Sequence, residues 1–138
     1  MEQKLGETQF PIEEIPNEAI LFYRIHTEYI DREENDDKKK IKPSAFDPQP
    51  KPHGTEMSVG WNKYCSAQDM KERARKPEKN GVVSFNSTEV RESPTALNVA
   101  HRPTSNRDHS IIFDVLSDAN DPEIRIKLRR ICQWEIPI

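Results

Sequence analysis

Residues 31–54, DREENDDKKKIKPSAFDPQPKPHG, decide what the rest of the chain has to accomplish. The segment opens acidic, turns basic and carries four prolines. Such a stretch cannot bury enough apolar surface to fold by itself. Neighbouring blocks of opposite charge favour a solvated loop over a binding groove. Phe46 is its one aromatic residue and the side chain able to pin this long loop, residues 31–55, back to the body. The core must therefore come from the remainder of a 138-residue chain, a length that fits one domain.

That remainder is lean. Hydrophobic residues make up 33% of the chain and charged residues another 33%. A small core fits this composition. The expected picture is a compact centre with polar excursions, or a subunit that borrows core from a protein partner. A net charge of −3 argues against generic duplex binding, which needs a broadly phosphate-neutralising surface, yet it leaves room for a local basic patch. The opening MEQKLGETQFPIEE has no apolar centre of the kind a signal peptide needs, and no run is long enough to span a bilayer. Cys65 and Cys132 form no CxxC pair and no disulfide framework. These features predict a cytoplasmic protein with reduced thiols and no membrane association.

Residues 1–17 read as an irregular arm broken by Pro11 and Pro16, leaving 18–138 as the domain. AILFYRIH (19–26) is the first strand candidate. Alternation puts Leu21, Tyr23 and Ile25 on one face and Ile20, Phe22, Arg24 and His26 on the other. EMSVGW (56–61) reads as a short strand. Ser66 and Asp69 form a capping-box pattern opening a helix over 66–76, which Pro77 ends. Strands are expected at 81–90, 95–101 and 109–116, with Ser93-Pro94 supplying a turn. Asp121 and Pro122 open a final helix that runs through PEIRIKLRRICQW. The fold class is α+β: a small, mainly antiparallel sheet, two helices and the long proline-rich charged loop.

Four chemistries can be weighed. The histidines His101 and His109 flank the turn RPTSNRD between two expected strands, with Asn106 and Arg107 inside it. Imidazoles exchange protons near neutral pH, and a guanidinium offers a fixed fork to phosphate. His101, His109, Arg24 and His26 could thus cleave a phosphodiester without a metal, should strand order bring them together. The bland alternative is a polar turn capped by Asn106 with a solvated Arg107. Metal binding lacks any HExxH, CxxC or HxH spacing. Nucleic-acid binding would use the basic faces of the two helices, with Trp61, Tyr64 and Trp134 stacking on bases, although such aromatics more often fill a small core. Cys65 near a helix start has no paired base in view. Only four glycines are present and no Walker or GxGxxG motif, so no cofactor is expected.

The ordered segments LFYRIH, KPSAF, MSVGW, GVVSFNSTEVR and VAHRPTSNRDHSII resemble those of small bacterial proteins of unknown function, over about residues 20–116. The resemblance implies no mechanism. It directs attention to Arg24, Phe46, His101, Asn106 and His109. A first strand holding YR is also similar to that of the ADP-ribosyltransferase-like RES domains, where Ser58, Ser84 and Glu89 would take the remaining roles. The leading expectation is a small bacterial accessory protein working within a larger assembly through a protein partner. Its rivals are a His/Arg enzyme on a phosphate-bearing substrate such as RNA, as in a toxin, and a nucleic-acid-binding adaptor. Arg107, Asn106, Phe46 and Trp61 are the expected binding residues.

Overall fold

A computed structural model describes residues 8–48, 56–93, 95–114 and 123–138. Its frame is a six-stranded sheet in which every pairing is antiparallel. The strands are β1 (Ile20–His26), β2 (Glu56–Trp61), β3 (Asn80–Asn86), β4 (Asn98–His101), β5 (His109–Phe113) and β6 (Gln133–Ile136). They lie in the order β4-β5-β2-β1-β3-β6. Three α-helices accompany them: α1 (Ala67–Glu72), α2 (Ser87–Arg91) and α3 (Glu123–Ile131). The architecture is α+β, with one helix more than the sequence suggested. Among the described residues no helix is long and apolar enough to cross a membrane.

Alternation along the strands builds the core on one face. Leu21 and Ile25 of β1 join Met57, Val59 and Trp61 of β2, Val83 and Phe85 of β3 and Ile112 of β5 in a single buried cluster. Val90 of α2 and Leu128 of α3 cover it. The charged segment completes the cover. Its Ile30 and Ile41 bridge, Pro43–Phe46 forms a 3₁₀ turn, and Ile41, Ala45 and Phe46 are buried. Phe46 is fully enclosed, stacking on Tyr23 at 5.9 Å and meeting Phe85 edge-on at 6.0 Å. The basic side chains of α3 hold this segment down. Arg125 pairs with Asp47 at 2.9 Å, Arg129 donates to the Ile41 carbonyl, and Lys38 donates to that of Arg130. The described residues thus supply their own core, and only Ile12 and Ile138 among their large apolar side chains are exposed.

Several element bounds differ from the sequence reading: the strand expected at 95–101 starts at Asn98, that at 109–116 ends at Phe113, and three further elements change more deeply. The expected strand 81–90 ends at Asn86, whose side chain accepts from the Thr88 amide and caps α2. A residue that satisfies the first free helical N–H groups wins over the β-propensity of the residues that follow. The helix expected over 66–76 stops at Glu72, although its capping box forms as read, with Ser66 and Asp69 exchanging hydrogen bonds. The last helix stops at Ile131, and Gln133–Ile136 becomes an edge strand on β3, fixed by Trp134 Nε1 donating to the Asp37 carbonyl at 2.8 Å. Asp121, Pro122, Val115 and the Pro94 turn residue lie outside the described residues.

The second face of the sheet is covered unevenly. Phe22 and Val82 pack there with Met70 of α1. This short helix shields the β1–β3 side and leaves the β2–β5 side as the floor of a cleft.

Candidate functional site

Strand register assigns the histidines before any side chain is considered. His101 pairs with Ser110, and Ser110 pairs with Val59, so His101 shares the core face of the sheet. His109 pairs with Gly60, and Gly60 pairs with Phe22, so His109 shares the opposite face with Phe22 and Arg24. The two imidazoles therefore never meet. A strand's side chains change face at every residue, and the odd separation of His109 from Ser110 decides the matter.

His101 is a buried structural residue, 3% exposed. Its Nδ1 accepts from the Glu13 amide at 3.0 Å, which makes Nε2 the protonated nitrogen, donating to the Arg107 carbonyl at 2.6 Å. Its ring packs on Trp61 and Tyr64. This arrangement ties the arm to the 102–108 turn and leaves neither nitrogen for chemistry. Arg107 lies over the Tyr64 ring at 4.4 Å, away from the cleft. Trp61, 3% exposed, cannot stack on a base, and Phe46 serves only the core.

His109 is differently placed. Its Nδ1 donates to the Arg102 carbonyl at 2.7 Å, so Nε2 is the acceptor and faces the Ser58 hydroxyl at 3.2 Å. Ser58 is exposed and projects from the middle of β2 on the open face, between the inward Met57 and Val59. A hydroxyl, a base within reach and a third group fixing the base's tautomer form the arrangement that activates a nucleophile.

Beside this pair lies a charged cluster. The cleft, about 370 Å³, is lined by Ser58 and His109 together with Arg24, Arg73, Asn106 and Asp108. Arg73 binds Asp108 at 2.6 Å, and the Asp108 side chain is only 4% exposed. For Arg73, burial works against the charge, but the hydrogen bond and attraction of Asp108 outweigh it and hold its pKa up. Arg24 is in the opposite condition. Burial, and then repulsion by Arg73, push its pKa below the ordinary arginine value. Its Nη1 donates only to the Met70 carbonyl, at 3.3 Å, and among the described residues it forms no ion pair. Arg24 and Arg73 both face Asp108, and Asp69 also attracts Arg73, so it is Arg24 that brings the cleft a positive charge with no ion pair of its own among the described residues, suited to an anion.

Cys65 borders this region without adding chemistry. Burial first, then Asp108, push its thiol pKa up to about 12, so it stays protonated. Gly60 lets α1 approach closely: a Cβ there would stand 2.6 Å from Met70 Sδ and 2.8 Å from Cys65 Sγ. His26 caps a 3₁₀ turn through Nδ1, and of the expected site residues it borders Arg24 alone, in a separate hollow.

The structure therefore brings together Arg24, Asn106 and His109 of the expected site, and separates His101, Arg107, Phe46 and Trp61 from it. None of Ser58, Arg73 and Asp108 belongs to the expected His/Arg site, and Ser58 enters only through the similarity to the RES domains. Ser58 could have been found, since it is the hydroxyl on the polar side of an otherwise apolar strand. Arg73 and Asp108 carry no local signal, because only the tertiary fold pairs a helix end with a turn. Compared with protein-family models, curated proteins and solved structures, the chain shows no match.

Proposed function

We propose that this protein is a hydrolytic or transfer enzyme acting on a phosphate-bearing substrate in the Ser58–His109 cleft. The observation that carries the reading is the oriented contact of His109 Nε2 with Ser58 Oγ at 3.2 Å, beside a guanidinium without a carboxylate of its own. In the reaction, Ser58 Oγ attacks phosphorus and its proton passes to His109 Nε2. The leaving alkoxide, on the opposite side of phosphorus, takes a proton from solvent and departs as an alcohol. Water then attacks the phosphoserine diester from that side and loses its proton to solvent, while the His109 imidazolium returns its proton to the departing Ser58 Oγ, so that free serine and a phosphate monoester result. The Arg102 carbonyl keeps the imidazole in the productive tautomer and favours its protonated form in the transition state. Arg24 and Arg73 stabilise the oxygens of the transferring phosphoryl group. The free thiols of Cys65 and Cys132 support a cytoplasmic, reducing location.

The test is turnover of a 5′-labelled single-stranded RNA and of an aryl phosphodiester by wild type, Ser58→Ala and His109→Gln. Both variants should lose about 10²-fold or more, the usual contribution of a positioned proton acceptor. Turnover that survives both changes would refute the reading.

A second reading, an accessory subunit of a larger assembly, draws support from the two sheet edges. Among the described residues β4 and β6 each lack a neighbour on their outer side, and an open edge is a template for strand addition. Native-level co-purification would test it: a stoichiometric protein partner lost on placing proline in β4 supports it, and a lone monomer refutes it.

A further inference from the structure

The catalytic cleft does not end at Arg24. On its far side a second hollow of about 380 Å³ is lined by Arg24 itself, His26, Ala74, Arg75, Lys76 and Asn80. No acidic side chain is in that lining. The two hollows share the Arg24 guanidinium as a common wall, which sets them side by side across β1 as the two ends of a candidate groove. Along it stand Arg73, Arg24, Arg75 and Lys76; Asp108 is the one carboxylate in the two linings, with Asp69 also acting on Arg73 and Glu28 4.0 Å from His26. This concentration of positive charge sits on a chain whose net charge is −3. Arg75 and Lys76 are exposed, and both follow the early end of α1 at Glu72, which turns them toward the groove instead of continuing the helix. A lone phosphate needs only the first hollow. A second cationic compartment in line with it matches a ligand that carries another phosphate a short way along a chain.

We infer that the groove takes the sugar–phosphate backbone of a single-stranded nucleic acid, with one phosphate in the Ser58–His109 cleft, a neighbouring one at Arg75 and Lys76, and Arg24 between them. This rests on the phosphate-handling reading of the first cleft. A concave, cationic track suits one strand, whereas a duplex needs a broad basic surface that this acidic chain does not offer. Stacking plays no part, because Trp61 is buried and Tyr64 is covered by Arg107. Recognition is then electrostatic and indifferent to base sequence.

The experiment is fluorescence anisotropy at several salt concentrations, with the full chain and labelled oligouridylates of two to eight nucleotides. UMP, inorganic polyphosphate, oligodeoxythymidylate and an RNA duplex compete. Affinity should rise about tenfold or more from UMP to the shortest oligomer that spans both hollows, and then level off. In Arg75→Ala/Lys76→Ala this gain should vanish while UMP competes as it does against wild type, and the salt slope should fall by about 0.7, the share of one phosphate contact on a single strand. Both residues are exposed, so an unchanged melting curve is expected and separates loss of contact from loss of fold. Affinity that does not depend on length, a length gain untouched by the double variant, a duplex that binds as tightly, or polyphosphate that binds as tightly would each overturn the inference. Length-independent binding combined with serine- and histidine-dependent turnover leaves the catalytic reading intact. Length-dependent binding without such turnover refutes that reading alone. RNA and DNA strands that bind equally define a backbone-only site, and tighter RNA binding assigns a contact to the 2′-hydroxyl; both support the groove.

Discussion

Asp108→Asn should weaken the fold and strengthen anion binding at once. The carboxylate pairs with Arg73 at 2.6 Å and is 4% exposed, while the guanidinium is 35% exposed. Breaking a fully buried pair costs about 3–5 kcal/mol, whereas an exposed one is worth about 0.2–1 kcal/mol. Here one end is dry and the other is screened by water, and asparagine still accepts a hydrogen bond. The expected loss is therefore about 1–2 kcal/mol. For a chain of this size that lowers the melting temperature by about 3–8 °C. The same change removes the carboxylate that Arg24 and Arg73 both face, leaving only Asp69 acting on Arg73, and takes away a negative charge facing any bound phosphate. A charge at about 4 Å is worth about 1 kcal/mol in a water-like medium and more in a drier one. Phosphate should then bind about five- to tenfold more tightly. Urea unfolding and calorimetric titration with inorganic phosphate read the two quantities separately. A variant that loses stability and phosphate affinity together would refute the reasoning, because Asp108 would then organise the anion site instead of opposing it.

Other expectations follow from the same contacts. Phe46→Ala empties a fully enclosed site against Tyr23 and Phe85 and should cost about 3–5 kcal/mol by urea unfolding, with the 31–48 segment becoming the first site of proteolysis. His101→Gln should cost about 1–3 kcal/mol of stability, through the lost bonds to Glu13 and Arg107, while leaving kcat on the aryl phosphodiester within about twofold. The Glu13 carboxylate, held by hydrogen bonds from Lys63 and Tyr64, has a pKa below its ordinary value of 4.5. A carboxyl group depressed in the fold adds stability at pH above its ordinary value, and that stability is lost as pH falls through the lowered one. Protection of the Glu13 amide relative to its intrinsic exchange rate should therefore fall on acidification below the ordinary carboxylate range, and Glu13→Gln should remove this pH dependence.

The strands were largely legible because their apolar residues alternate. LFYRIH displays Leu21 and Ile25 inward and Arg24 outward in the sequence itself, and the structure keeps that assignment. The capping box at Ser66 was legible for a similar reason, since its whole mechanism lies within four residues. Where two local preferences competed, the sequence misled. Asn86 serves equally as a strand residue or a helix cap, and Gln133–Ile136 follows a helical stripe until β3 recruits it as an edge. The site was half legible. His109 and Arg24 stand out by residue type, but their separation from His101 depends on register across three strands. Arg73 and Asp108 meet across 35 residues, beyond any periodicity. Of the basic residues of α3, Arg125 and Arg129 serve the fold, holding Asp47 and the Ile41 carbonyl of the charged segment that the core needs as a lid, a use no local pattern announces.

In the proposed reading, His109, Arg24 and Ser58 form an anion site from which His101 is excluded. Long-range ¹H–¹⁵N spectra of the histidine rings during titration with inorganic phosphate test it directly. The His109 ring signals should move in a saturable way, the movement should vanish in Arg24→Met, and the His101 signals should hold still. Saturable shifts at His101, or a His109 ring that ignores phosphate, would contradict the account.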